Sequence, residues 1–169
     1  AKRLVRNRDY FGPLMLQHGD TDALIVGYSK NYRTVLRPVL EIIEKAKGVD
    51  KIASMMMILS DKKPYFFADT SIHVNPTPEE MANIAKMAEY AIKSFAIQPR
   101  IAMLSYENFS ANSETSKKVA KAVNILHQKY PDMIVDGEFQ PDFAMSADHL
   151  QDYPFSKLGK TPANTFIFP

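Results

Sequence analysis

Two spacings of apolar residues alternate along this chain. Dense apolar runs recur at residues 23–27, 52–59, 65–68, 101–104, 133–135 and 165–168. Runs of about four to eight such residues, bounded by Gly, Pro, Asp or Asn, read as strands. Between them apolar residues return every three or four positions, the spacing of a helix with one inward face. That spacing predicts helices over residues 2–18, 34–46, 78–95 and 113–130, with a short one over 140–145. Gly12-Pro13 interrupts the first and predicts two shorter helices, and Gly48 is the stop signal of the second. Thr77, Pro78 and Glu80 form the pattern of a capping box with proline in the first turn, and Asn112 or Ser113 caps the helix that follows. Asp61-Lys62-Lys63-Pro64 reads as the turn of a hairpin, and the Met-rich run before it suits a central strand. Strands alternating with helices predict an α/β fold, a mostly parallel sheet flanked by helices.

The 169 residues suffice for one domain, or one domain and a piece of another, with a polar linker at 47–51 as the candidate boundary. A formal charge of +2 without any block of Lys or Arg gives nucleic-acid binding little support. Cysteine is absent, which removes thiol catalysis, disulfides and Cys-ligated zinc from this chain. No apolar run approaches the roughly 20 residues of a membrane span, so a soluble, cytoplasmic protein is expected. Both ends fall in mid-pattern, at Ala1-Lys2-Arg3-Leu4 and at Thr165-Phe166-Ile167-Phe168-Pro169, as in a piece of a longer chain.

Ligands of open parallel sheets bind beyond the carboxyl ends of the strands. Four segments follow strands here: Ser29 to Arg37, Asp69 to Asn75, Ser105 to Ser110, and Asp136-Gly137-Glu138. In the first, a strand–loop–helix pattern brings backbone N–H groups together with Arg37, a natural place for an anion; the alternative is an Arg37 paired with a surface acid. Ser29, Thr34 and Arg37 are therefore candidate substrate-binding residues, with Ser105, whose loop holds hydroxyls and amides that suit a phosphate or a carbonyl oxygen as well as helix capping. Asp136 and Glu138 form an acid pair, a metal site or solvated loop acids. His18, His73, His127 and His149 have no metal-ligand spacing, and no Gly-rich phosphate loop or dinucleotide fingerprint is present.

Seven short motifs add to this in order: Tyr10-Phe11-Gly12, Gly19 to Ile25, Leu36-Arg37-Pro38, Phe66-Phe67-Ala68-Asp69, Ala102 to Tyr106, Asp136-Gly137-Glu138 with Gln140, and Phe166-Ile167-Phe168-Pro169. Together they resemble the phosphate acetyltransferase and butyryltransferase family over essentially the whole chain. Arg6-Asn7-Arg8, Asn31-Tyr32, Pro99 to Ala102, Asn108-Phe109 and Pro154-Phe155-Ser156 further resemble the carboxyl-terminal domain of bacterial NADP-dependent malic enzymes. Free-standing members tend to carry a Ser/Thr-rich loop before Leu-Arg-Pro and a Lys-Gly-Ser stretch after Ser-Tyr; this chain has neither.

The resemblance implies an isocitrate/isopropylmalate dehydrogenase-like fold, a fragment of a two-domain protein with a cleft that holds coenzyme A. Residues 1–48 would be the tail of the first domain and 49–169 most of the second. Arg37 matches one of the family's phosphate-holding arginines, while a Ser-Arg pair and an Asp proposed as base lie in a segment after the final Phe-Pro. The implied function is an acyl-CoA-binding regulatory domain, with coenzyme A or acetyl-CoA as ligand. NADP and a divalent metal would belong to other domains of a malate-oxidising parent chain, which would be a homo-oligomer. The alternative is a catalytic phosphate acetyltransferase, and a dimerisation module with a vestigial cleft is a third reading.

Overall fold

The computed structural model describes residues 2–47, 49 and 51–169. They fall into two compact units, Ala1–Ile52 and Ala53–Pro169.

The first unit holds three helices, α1 (Lys2–Val5), α2 (Arg8–His18) and α3 (Tyr32–Ile42). The break in the first helical stretch falls at Arg6-Asn7 rather than at Gly12-Pro13. Asn7 accepts a hydrogen bond from the amide of Asp9 and so starts a new helix, while Pro13 is accommodated inside α2. A Cβ at Gly12 would meet the end of the Leu24 side chain at 2.8 Å, a contact that a shift of Leu24 can relieve. Gly19 ends α2 in the left-handed conformation, its N–H returned to Leu16 and Met15.

Residues 23–27 are not a strand. Ile25 is 97% exposed, and the described residues of this unit contain no strand to pair with it. An apolar run forms a ladder only against a neighbour. Helix α3 starts two residues earlier than predicted, because Asn31 caps it through the amide of Arg33, and it ends at Ile42 instead of residue 46. The stop signal at Gly48 lies outside the described residues.

The second unit is a five-stranded sheet in the order β1-β2-β5-β3-β4. Its strands are β1 (Met55–Ser60), β2 (Lys63–Ala68), β3 (Ile101–Leu104), β4 (Val135–Phe139) and β5 (Thr165–Ile167). The first two form an antiparallel hairpin and all other pairings are parallel. Asp61 and Lys62 turn the hairpin at positive φ, as a two-residue loop requires. The Met-rich strand is not central: β1 is the sheet edge, with Leu59 70% exposed. Residues apolar on both faces fit an edge as well as a centre, so composition alone did not separate the two.

Helices α4 (Pro78–Lys93) and α5 (Glu114–Lys129) cover one face of the sheet, where Met81, Ile84, Ile92, Val119 and Leu126 pack on Phe66, Ile101, Met103, Val135 and Ile167. Alternate residues Ala102, Leu104, Phe139 and Phe166 meet Ala144, Leu150 and Leu158 on the other face, beside α6 (Pro141–Met145) and α7 (Ala147–Leu150). Period-two alternation thus feeds two cores. The capping box of α4 is present in both halves: Thr77 N–H donates to Glu80 at 2.7 Å and Glu80 N–H to Thr77 at 3.3 Å. Ser113 caps α5.

Asp136-Gly137-Glu138 lies inside β4 and not after it. The register between β3 and β4 shifts here, pairing Met103 with Gly137 and Leu104 with Phe139. Glu138 is therefore the extra residue of a bulge, a device that re-aims a side chain at the end of a strand. The sequence pattern missed it because Gly137 reads as a breaker.

Candidate functional site

In the first unit, α2, the loop 19–31 and the start of α3 surround a cavity of about 430 Å³, lined by Arg8, Asp9, Leu24, Ser29, Lys30 and Val35 among others. Arg8 Nη2 donates to Ser29 Oγ at 3.1 Å, which fixes a guanidinium and a hydroxyl at its rim. Lys30 forms an ion pair with the buried carboxylate of Asp9. Two cations and a hydroxyl next to the first turn of a helix suit an anionic group.

Of the residues selected from sequence in this unit, only Ser29 lines that cavity. Thr34 is exposed in the first turn of α3, and its N–H donates to Asn31 O. Arg37 is in the second turn rather than at the helix start, because α3 begins at Tyr32. Its side chain is 79% exposed and its Nε lies 2.7 Å from Glu41 Oε1, while Tyr10 OH donates to Glu41 Oε2 at 2.9 Å. Hydrogen bonds from Arg37 and Tyr10 hold the Glu41 carboxyl below the usual glutamate range. Arg8 and Lys30 were missed as site residues. The signal available was their distance of one turn or less from Asn7 and Asn31, both of which prove to be helix caps.

In the second unit the parallel strands are followed by Asp69, Ser105, Gln140 and Phe168. Asp69 is nearly enclosed: Oδ1 accepts from Ser54 N–H and Oγ, Ser71 N–H and Ile72 N–H, and Oδ2 from His73 N–H at 2.9 Å, with His73 Nδ1 at 2.6 Å. Burial alone would raise its pKa. The Ser54 hydroxyl, the His73 ring and the amides of Ser71 and His73 outweigh burial and hold the carboxyl well below the aspartate range.

Ser105 N–H donates to Phe139 O, and its Oγ lies 2.6 Å from the Oγ of buried Ser116 in the first turn of α5. The amides leading into that helix are already matched, since Glu107 accepts from Asn112 N–H, Ser113 N–H and Ser110 Oγ. Asn108 and Gln140 exchange two hydrogen bonds. Asp136 accepts from Gly137 and Lys157 amides, whereas Glu138 turns to the loop and accepts from Ala111 N–H through Oε1. These two acids therefore do not act as a pair. Among the described residues no three His, Asp or Glu side chains stand together as metal ligands, and no helix is long and apolar enough to cross a membrane.

Over residues 1–169 the sequence matches the phosphate acetyl/butaryl transferase family. The chain belongs to that family. It is 34% identical to a phosphate acetyltransferase of Bacillus subtilis, covering 100% of this chain and 53% of the relative. It is 35% identical to an NADP-dependent malic enzyme of Rhizobium meliloti, again over 100% of this chain but 22% of that protein. A phosphotransacetylase from Streptococcus pyogenes superposes with a TM-score of 0.85 at 32% identity, covering 99% of this chain and 52% of that one. This phosphotransacetylase-like chain thus spans about half, or less, of the relatives it matches.

Proposed function

We propose that this phosphotransacetylase-like domain binds an acyl-CoA and regulates a malic enzyme of which it forms part. The observation that carries the reading is the cavity rimmed by Arg8, Ser29 and a Lys30 paired with Asp9, where the Arg8 guanidinium and the Ser29 hydroxyl fit an anionic phosphate of coenzyme A. Arg37, Thr34 and Ser105 remain candidates for further contacts. Catalysis of acyl transfer needs several preorganised donors free to meet developing charge. Here Lys30 and Arg37 are engaged by Asp9 and Glu41, and Ser105 by Ser116, an arrangement better suited to holding a ligand than to transforming it. In the parent chain other domains would carry NADP, the divalent metal and the oxidative decarboxylation of malate to pyruvate, in the cytoplasm and as a homo-oligomer.

Likeness to the Bacillus phosphate acetyltransferase favours a second reading, transfer of an acetyl group between acetyl phosphate and coenzyme A. One set of measurements on the full-length polypeptide separates the two. The regulatory reading expects acetyl-CoA to bind, to change the rate of malate oxidation and to lose affinity in Arg8→Ala. Rapid acetyl transfer from acetyl phosphate to coenzyme A would establish the catalytic reading instead. Absence of acetyl-CoA binding would remove both.

A further inference from the structure

The sheet of the second unit has two edges of opposite character. At one end every residue of β4 is buried. At the other, β1 is exposed from Met56 to Ser60, and its sequence Met-Met-Met-Ile-Leu-Ser holds no charge and no proline. Its register with β2 runs from Met55 to Ser60 without a bulge. Charges, prolines and bulges are the devices that keep a sheet edge from pairing with another chain. None of them guards β1.

The strand beside it fixes which groups this edge offers. Phe66 N–H donates to Asn164 O, and Ala68 O accepts from Phe168 N–H, so Phe66 and Ala68 turn their main chain toward β5. Lys63, Tyr65 and Phe67 therefore face β1, paired with Ser60, Ile58 and Met56. The main-chain groups left pointing away from the sheet are those of Met55, Met57 and Leu59. Three alternate residues centred on Met57 are self-complementary. A two-fold axis at Met57 sets that residue opposite its equivalent in an antiparallel copy, and Met55 opposite Leu59. Because the strand is uncharged, no like charges meet along it.

The side chains match in the same register. Met55 packs with Phe66 and Ala68 on the face that α4 covers, and Met57 and Leu59 follow it there by alternation. An apolar cavity of about 150 Å³ opens at Met55, lined also by Ala68, Ile84, Met87, Ala88 and Ala91. Apolar cavities of about this volume accept a group the size of a benzene ring. Residues directly opposite in an antiparallel pair share a face. The two-fold thus lays the exposed Leu59 of each copy beside the cavity of the other. Knob and hole lie on one chain, which favours a second copy over an unrelated strand.

We infer that β1 is a homodimer interface: two copies join their sheets edge to edge through Met55, Met57 and Leu59, and each Leu59 enters the cavity under α4 of the other copy. This rests on the homo-oligomer proposed above and gives it an interface, but it does not depend on what the chain binds.

The test uses the full-length polypeptide, with its mass read by light scattering and its self-association by sedimentation. The wild type should contain dimers. Leu59→Lys places an ammonium against an apolar cavity and should raise the dimer dissociation constant at least about tenfold. Met57→Pro removes one outward N–H, a change that an edge strand tolerates, and should weaken the dimer without unfolding the chain. Met57→Cys should allow a short bismaleimide to join two copies, a readout that stands even where the other variants fail to fold. A monomeric wild type would overturn the oligomer and the interface together. An oligomer that survives both Leu59→Lys and Met57→Pro, or Met57→Cys copies that do not join, would overturn the interface alone. Slow hydrogen exchange at the Met57 and Leu59 amides of a monomer would give the edge to another segment of the polypeptide and likewise overturn the inference.

Discussion

Gly137 faces the main chain of Met103 at a distance that leaves no room for a side chain. A Cβ at residue 137 would lie 2.5 Å from Met103 O and 2.9 Å from Met103 Cβ, and the residue sits at a φ of +152°. The first obstacle is backbone, which cannot swing away as a flexible side chain would. Gly137→Ala should therefore destabilise the second unit by about 3 kcal/mol through strain and overpacking. Urea unfolding reads this directly, and a midpoint equal to the wild type would mean that β3 and β4 part without cost.

The carboxyl of Asp69 is held below its ordinary pKa in the folded protein. A depressed folded pKa adds stability above the unfolded value and loses it as the pH falls toward the folded one. The contribution should be complete at neutral pH and decline below about pH 4, near the value of an unperturbed aspartate. Asp69→Asn keeps one acceptor but turns an N–H group toward donors, at a cost of about 2 kcal/mol at pH 7. Unfolding at pH 7 and at pH 3 should show the gap between variant and wild type narrowing in acid. A gap independent of pH would assign the cost to shape rather than charge.

Arg100 holds the segment before β5 with no carboxylate involved. Its guanidinium donates to the carbonyls of Leu158, Thr161 and Pro162, and its amide to Asn164 Oδ1 at 2.9 Å. A lysine keeps the charge but has no planar fork to span several carbonyls. Arg100→Lys should lower stability by about 2 kcal/mol and speed hydrogen exchange over 158–165 relative to α4. Uniform exchange behaviour would show the staple to be dispensable.

The second unit was more legible in sequence than the first, and the reason is pairing. The residues 101–104 were readable because both neighbours of β3 lie within this chain, so local pattern and tertiary partner agree. The capping box at Thr77 was equally plain, since its two hydrogen bonds are local. The run 23–27 carries the same apolar signal without a partner strand among the described residues of its unit, and the pattern alone could not reveal that. At the candidate site, motif and strand-end reasoning singled out Ser29 and Ser105 and named the segments that hold Lys30 and Asp69, but selected neither Arg8 nor Lys30 as a binding residue. Those depend on distances between residues up to 21 positions apart, as in Arg8 to Ser29 and Lys30 to Asp9. Placing Arg37 at the helix start failed for a smaller reason: the Asn31 cap moved the start of α3 back.

That shift bears on whether Arg37 takes part in binding at all. Its Nε is engaged by Glu41 on an exposed helix surface, where solvent screens such a pair and it adds little to stability. Because Tyr10 also donates to Glu41, the carboxylate is held in place from two sides and competes with any incoming phosphate for the guanidinium. Glu41→Ala frees Arg37 and removes a negative charge beside it. If Arg37 contacts an anionic ligand, the variant should bind acetyl-CoA several-fold more tightly, and the gain should shrink as salt screens the exposed charges. The same substitution made together with Arg37→Ala should show no gain. Calorimetric titrations of the wild type, the single variant and the double variant, at low and high salt, decide the matter. Equal affinity in all three would confine Arg37 to its pair with Glu41 and leave anion binding in the first unit to Arg8 and Lys30.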